Sequence, residues 1–211
     1  MVPGRFITME GGEGAGKSTQ VRLLAERLRG RGIDPLLTRE PGGTEGAEAI
    51  RGLIVDGPAE RWRPLAELYL FLAAREDHLH RAILPALAEG RWVLCDRFAD
   101  SSRVYQGIAG ELGLDLVDHL QAPLLGTHRP DLTLVLDLAV ATGLARCAAR
   151  GGADRFEAKG PFYHERVREG FRLLAAREPE RFAVVDADRA EDEVAAAVWR
   201  TVCERLALGR P

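Results

Sequence analysis

The sequence predicts an α/β fold in which a five-stranded parallel sheet is covered by helices on both faces. Three observations carry that prediction. Short apolar runs alternate with longer stretches of helical period, the pattern of parallel strands joined by helical crossovers. Each apolar run ends in a polar or charged residue, as expected at the carboxyl edge of such a sheet, where ligands bind. The first run also leads into a helix through the glycine-rich stretch Gly11-Gly12-Glu13-Gly14-Ala15-Gly16-Lys17-Ser18.

In chain order, Phe6–Glu10 is the first strand, short and apolar ahead of the glycines. Lys17–Arg29 is the first helix, with Val21, Leu24 and Leu28 recurring along one face. Leu36–Arg39 is the second strand, and Glu45–Val55 the helix after it. Leu65–Leu87 reads as one long helix, closed off before the third strand, Trp92–Asp96. Leu132–Asp137 and Phe182–Asp186 are the fourth and fifth strands. Helices over Ala141–Arg150, Tyr163–Arg177 and Glu191–Leu208 complete the alternation. With neither internal repeat nor linker, 211 residues that are 46% hydrophobic suit one domain, spanning 1–211.

Composition narrows the function. A net charge of −3 leaves no basic footprint for nucleic acid. No apolar run reaches membrane-spanning length, and no secretory signal fits the start of the chain. Cys95, Cys147 and Cys203 are scattered, which suits reduced thiols in the cytoplasm. Lys17 and Lys159 are the only lysines, so a lysine at the end of the glycine loop stands out. The chain contains no Asn, so it cannot supply the Asn-Lys-x-Asp guanine reader of a GTPase. A small kinase acting on a metabolite fits what is left.

The motifs supply the chemistry. Gly11 to Ser18 matches the phosphate-binding loop G-x-x-x-x-G-K-[ST] in its strand–loop–helix context. Backbone N–H groups of Gly11, Gly12, Glu13, Gly14, Ala15, Gly16, Lys17, Ser18 and Thr19 would surround the phosphates of ATP, helped by the helix N-terminus. Lys17 would reach the β- and γ-phosphates, and Ser18 would ligate Mg²⁺. Thr38-Arg39-Glu40-Pro41-Gly42-Gly43-Thr44 follows the second strand as a tight, charged loop, either part of an acceptor site or a connector with an ion pair. Asp96 ends an apolar strand, as a carboxylate orienting Mg²⁺ or its water does, and Arg97 offers a planar fork to a phosphate. Phe71 and Arg75 share a helix face and could stack on and hydrogen-bond a nucleobase, although a lone helical Phe is more often core. Arg146, Arg150 and Arg155 flank Gly151-Gly152-Ala153-Asp154. The segment from about 150 to 160 reads as a lid bringing positive charge to the reaction, and equally as a solvated loop. His78 and His80, on one helix, read as surface residues, and the five histidines form no metal-ligand set.

Taken together, these pieces resemble the bacterial thymidylate kinases. The matching stretches are Phe6 into the glycine loop, Thr38–Gly43, Phe71–Arg75, Asp96-Arg97-Phe98, Ser101-Ser102, Tyr105-Gln106-Gly107 and Arg129-Pro130-Asp131-Leu132-Thr133. They occur in the family's order and spacing over nearly the whole chain. The resemblance implies a nucleotide-kinase fold, transfer of the γ-phosphoryl group of ATP to dTMP with Mg²⁺, and a homodimer. It implies that Phe71 stacks on thymine, that Arg75 bonds the base, and that Arg97 binds the dTMP phosphate with Arg39 nearby. Glu40, Arg51, Ser101, Ser102, Tyr105 and Gln106 would line the nucleoside pocket, with Tyr105 near the sugar. Glu10 and Asp96 would lie near Mg²⁺ and the acceptor phosphate. Some relatives carry an Arg inside the glycine loop where this chain has Glu13; the others supply it from the lid. The catalytic set implied here is therefore Lys17, Arg97 and Glu13 with Arg150 or Arg155, and Glu13 could pair with a lid arginine.

Overall fold

The computed structural model describes residues 4–151 and 155–208. Five parallel strands, β1 (Phe6–Gly11), β2 (Leu36–Arg39), β3 (Val93–Asp96), β4 (Leu132–Asp137) and β5 (Phe182–Asp186), form one sheet in the order β2-β3-β1-β4-β5. From β1 the chain runs to the edge strand β2, returns to β3 beside β1, and then crosses to β4 and β5 on the other side, so β1 is the central strand, where the winding changes direction. The loop after β1 therefore opens at the crevice where such sheets bind ligands. The register aligns Met9 with Asp96 and Gly11 with Leu136. That sets the loop between the ends of β3 and β4.

Helices cover both faces. α1 (Lys17–Arg29) and α9 (Glu191–Arg205) pack on one face, where Ile7 and Met9 of β1 meet Leu24, Leu28, Val198 and Val202. The opposite face carries α3 (Pro64–His78), α4 (Leu84–Ala88), α5 (Ala99–Ser102) and α8 (Pro161–Arg177). α2 (Glu45–Val55), α6 (Leu114–Leu125) and α7 (Val140–Arg150) complete the set. β1 is apolar throughout only toward α1. Its other face presents Phe6, Thr8 and Glu10, and Thr8 bonds Thr133 of β4 at 3.0 Å. Thr133 and Arg181 both donate to Asp100, with Arg181 at 2.6 Å, so a buried polar line fastens α5 to the sheet.

Two regions differ from the sequence reading. The expected single helix over 65–87 is α3 and α4 joined by a π-helical turn at Leu79–Ile83. Pro85, which lacks an N–H and whose ring would crowd the preceding turn, accounts for the widened ladder. The second region lies between β3 and β4, where glycines and prolines obscure the period. α5 there runs on through a π-helical stretch, Arg103–Ala109, to α6, whose interior contains Pro123. No helix among the described residues is long and apolar enough to cross a membrane.

Candidate active site

The glycine loop is shaped by contacts beyond its own sequence. Gly14 has φ +68°, and a Cβ there would lie 2.1 Å from the carbonyl oxygen of Gly143 in α7. A Cβ on Gly143 would in turn lie 2.2 Å from the carbonyl oxygen of Glu13. Loop and helix backbones thus touch, and neither position admits a side chain. Gly143 belongs to no motif, and nothing adjacent to it in the chain marks it as functional. At the end of the loop, Lys17 is buried and donates to the carbonyl oxygens of Gly12 at 2.8 Å and Gly11 at 3.3 Å. Burial, aided by nearby Arg97, lowers its pKa, while Glu13 and Asp96 counteract that effect. The hydroxyl of Ser18 donates to Asp96 at 2.5 Å.

Arg97 sits at the junction of the site. Its backbone adopts φ +68°, an unfavourable conformation for a residue with a Cβ. The turn is held by its N–H on the Met9 carbonyl at 2.9 Å and by the Phe98 N–H on Glu10 at 2.8 Å. The guanidinium donates to Glu13 at 2.8 Å and to Gly11 O at 3.0 Å, and lies over the Tyr105 ring. Tyr105 also donates to Glu13, at 2.7 Å. Burial would raise the pKa of Glu13, but Arg97 and Lys17, with the Tyr105 hydroxyl, outweigh it and hold the carboxyl at about 2.

Two cavities meet at Glu13 and Arg97. One, about 890 Å³, lies over the glycine loop and is lined by Gly14 to Thr19, Arg39, Glu40, Arg51, Asp96, Arg150 and Glu157. The other, about 490 Å³, is lined by Glu40, Pro41, Arg51, Phe71, Ser101, Ser102, Tyr105, Gln106 and Phe156. Most residues expected to hold an acceptor nucleotide thus share one space, with Arg39 on the phosphate side. Arg75 lies behind the second cavity. Its Nε donates to Glu40 at 2.7 Å and its Nη2 to Ser102 and the Phe98 carbonyl at 3.1 Å, while Nη1 is buried without a hydrogen-bond partner. A third cleft, between the glycine loop, Arg146 of α7 and Ala187, Arg189 and Glu191, was not read from the sequence as a unit.

Four expectations are corrected. Glu10 does not face a metal site: both its oxygens are buried and engaged, one by the Phe98 N–H and one by the Ser101 hydroxyl at 2.6 Å. Burial, then Asp100, raises its pKa to about 7. Arg155 is fully buried away from the phosphate loop, paired with Glu67 and donating to the carbonyls of Ile54 and Ala59. Glu13 pairs with Arg97, not with a lid arginine. His78 is not a surface residue; it is completely buried between Thr38 and Glu40, as a short loop packs against α3. Arg150 is exposed and pairs with Glu157 at 2.8 Å at the rim of the phosphate-side cavity. Gly152, Ala153 and Asp154, the centre of the expected lid, lie outside the described residues.

For a metal, the described residues offer no cluster of three or more His, Cys, Asp or Glu side chains. They offer instead the hydroxyl of Ser18 beside the carboxylate of Asp96. That donor pair suits a hard ion such as Mg²⁺ that keeps waters and phosphate oxygens as its other ligands.

A thymidylate kinase family model matches residues 9–198. The chain is 55% identical to a thymidylate kinase of Caulobacter vibrioides, covering 99% of this chain and 100% of that one. It is 51% identical to a thymidylate kinase of Afipia carboxidovorans, covering 99% and 92%. A solved thymidylate kinase from Ehrlichia chaffeensis superposes with a TM-score of 0.77 at 31% identity, covering 95% of this chain and 99% of that one. The fold is thus that of the P-loop nucleotide kinases, and the chain belongs to the thymidylate kinase family.

Proposed function

We propose that this chain transfers the γ-phosphoryl group of ATP to the phosphate of dTMP, giving dTDP and ADP. The carrying observation is the junction at Glu13 and Arg97, which line both main cavities. A nucleotide whose base lies against Phe71 would end with its phosphate beside Arg97, facing the loop that cradles the donor. Arg75 Nη1, buried and without a partner, is a donor for a carbonyl on the base. Gln106 gives its amide NH₂ to Glu67 at 2.9 Å, leaving its carbonyl oxygen for a base N–H. A donor beside an acceptor matches the edge of thymine.

On the donor side, the backbone of Gly11 to Thr19 holds the phosphates, and the cleft beside Arg146 and Ala187 takes the adenine. Ser18 and Asp96 would hold the Mg²⁺ that arrives with ATP, and the ion would supply positive charge to offset that of the phosphates. The transferring group and the acceptor phosphate are both anionic and repel. Lys17, Arg97 and Arg150 offset that repulsion, most strongly as charge shifts in the transition state. No general base is required, since the attacking phosphate oxygen already carries charge.

Two wider assignments accompany this one. Leu53, Leu65, Tyr69 and Leu116 are exposed apolar residues on α2, α3 and α6, a surface suited to a second copy of the chain. Light scattering that gives twice the chain mass checks the homodimer. Three free, buried cysteines suit the reducing cytoplasm.

The activity is tested by ³¹P NMR of the purified chain with ATP, Mg²⁺ and dTMP. The expected products are dTDP and ADP in equal amounts, with neither formed when dTMP is left out. ADP with free phosphate and no dTDP would contradict the reading.

A further inference from the structure

Glu67 and Arg155 form a buried ion pair that lines neither main cavity. Glu67 lies in the first turn of α3. One of its oxygens accepts from Arg155 and the other from the amide of Gln106, at 2.9 Å. The other two nitrogens of Arg155 are also engaged, with Nε on the Ile54 carbonyl at 2.8 Å and Nη1 on the Ala59 carbonyl at 2.9 Å. The next residue, Phe156, meets the rings of both Phe71 and Tyr105 edge-on, with centroids 5.9 and 6.1 Å apart. Arg155 therefore anchors a wall of the base-side cavity and steadies the carboxylate that holds Gln106.

The orientation of that amide matters. A Gln side chain is a donor at one end and an acceptor at the other, and either end can face a ligand. A carboxylate only accepts, so the NH₂ of Gln106 is fixed on Glu67 and the carbonyl oxygen is left on the cavity side. An oxygen there favours a base with a ring N–H, as in thymine and uracil. It disfavours cytosine, whose ring nitrogen at that position presents a lone pair.

We propose that Glu67, held by Arg155, is a positioning residue for base selection: it locks the Gln106 amide in the orientation that admits thymine and rejects cytosine. The role rests on the acceptor assignment made above.

The test compares wild type, Gln106→Leu, the double variant Glu67→Leu/Arg155→Leu and the triple variant. The double variant removes both charges together, an exchange that buried ion pairs frequently tolerate. Glu67→Gln, of nearly the same shape, serves if the leucine pair does not fold, because an amide at 67 no longer dictates how Gln106 lies. For each protein, kcat/KM is measured with dTMP and dCMP at saturating ATP, alongside KM for ATP and Tm. The dTMP:dCMP ratio is expected to fall about tenfold in the double variant and in Glu67→Gln, the scale of one lost buried hydrogen bond, with KM for ATP unchanged. In the Gln106→Leu background the same change should move the ratio by less than about twofold, since the effect travels through Gln106. An unchanged ratio in a folded variant overturns the proposal. Equal loss on both acceptors, or full additivity with Gln106→Leu, also overturns it, as either marks a merely structural pair. The wild-type ratio keeps the two readings apart: no wild-type preference for dTMP defeats the acceptor assignment, whereas a preference that survives the substitutions defeats only the positioning role.

Discussion

The phosphate-side cavity, about 890 Å³, is lined by loop backbone and mostly charged side chains; the base-side cavity, about 490 Å³, brings together Phe71, Tyr105 and Phe156 with a few fixed polar atoms. The first suits charge. Half of its lining is the contiguous run Glu13 to Thr19, and its rim arginine, Arg150, is exposed. The second suits shape. It draws on the loop after β2, on α2 and α3, on the helix after β3 and on the segment before α8. Its polar atoms are set by their neighbours: Glu40, on the wall, holds Arg75 behind it, and Glu67, behind the wall, holds Gln106. Substitutions on the phosphate side should therefore act on turnover, and those on the base side on which acceptor is used and how tightly.

Lys17→Ala should break the phosphate side most severely. A fall in kcat on the order of 10³ or more is expected, with Tm little changed, in a coupled ADP-release assay. Near wild-type turnover in a folded variant would remove Lys17 from the mechanism.

The two arginines that bracket the expected lid should separate. Arg150→Ala is expected to cost on the order of 10³ in kcat with KM for dTMP nearly unchanged, as for a cation engaged mainly in the transition state. Arg155→Ala leaves Glu67 buried without its counter-charge. It should cost about 3–5 kcal/mol of stability, a drop in Tm of about 10 °C. A thermally intact Arg155→Ala that has lost turnover would reverse the assignment.

Phe71→Ala should raise KM for dTMP about 10- to 100-fold, the scale of a lost base–aromatic stack, and leave KM for ATP alone. A rise in KM for ATP of the same size would show that the two cavities are not separable.

Glu10→Gln should have the smallest effect on turnover, because Glu10 touches neither cavity directly. Its effect is on pH dependence. The folded protein holds a proton on Glu10 up to about pH 7, whereas an unperturbed glutamate loses it near 4.5. Between those values the folded state binds more protons than the unfolded chain, so stability falls as pH rises, by on the order of 3 kcal/mol. Glu13, held at about 2, acts in a different window: its contribution is present above pH 4.5 and is lost as pH falls toward 2. Tm measured from pH 5 to 8 should therefore fall less steeply in Glu10→Gln than in wild type; parallel profiles would contradict the protonated carboxyl.

The same contrast explains how far the sequence could be read. All five strands and the glycine loop were legible, because backbone amides, a helix start and one lysine are specified by adjacent residues. The grouping of the acceptor residues came through the family resemblance, since no local pattern joins Phe71 to Gln106. What stayed hidden depends on third dimensions of packing. Gly143 looks like any helical glycine until its backbone meets that of Glu13. Glu10 reads as a strand-end carboxylate, yet the turn at Arg97 folds over it and takes both its oxygens. Arg155 reads as a lid arginine because glycines precede it, and only the fold brings Glu67 within reach. The helices between β3 and β4 were obscured by Gly107, Gly110, Gly113 and Pro123, which dilute helical period while the sheet and α8 supply the packing.

Acceptor choice tests the central claim most directly, because it asks both cavities to act on one molecule. ADP release is measured with dTMP, dUMP, dCMP, AMP and deoxythymidine under identical ATP and Mg²⁺, and kcat/KM is compared. The account expects dTMP to be used best, dCMP and AMP to be used poorly, and deoxythymidine not to be phosphorylated, since Arg97 then has no phosphate to hold. Turnover of deoxythymidine or AMP at or above that of dTMP would contradict it.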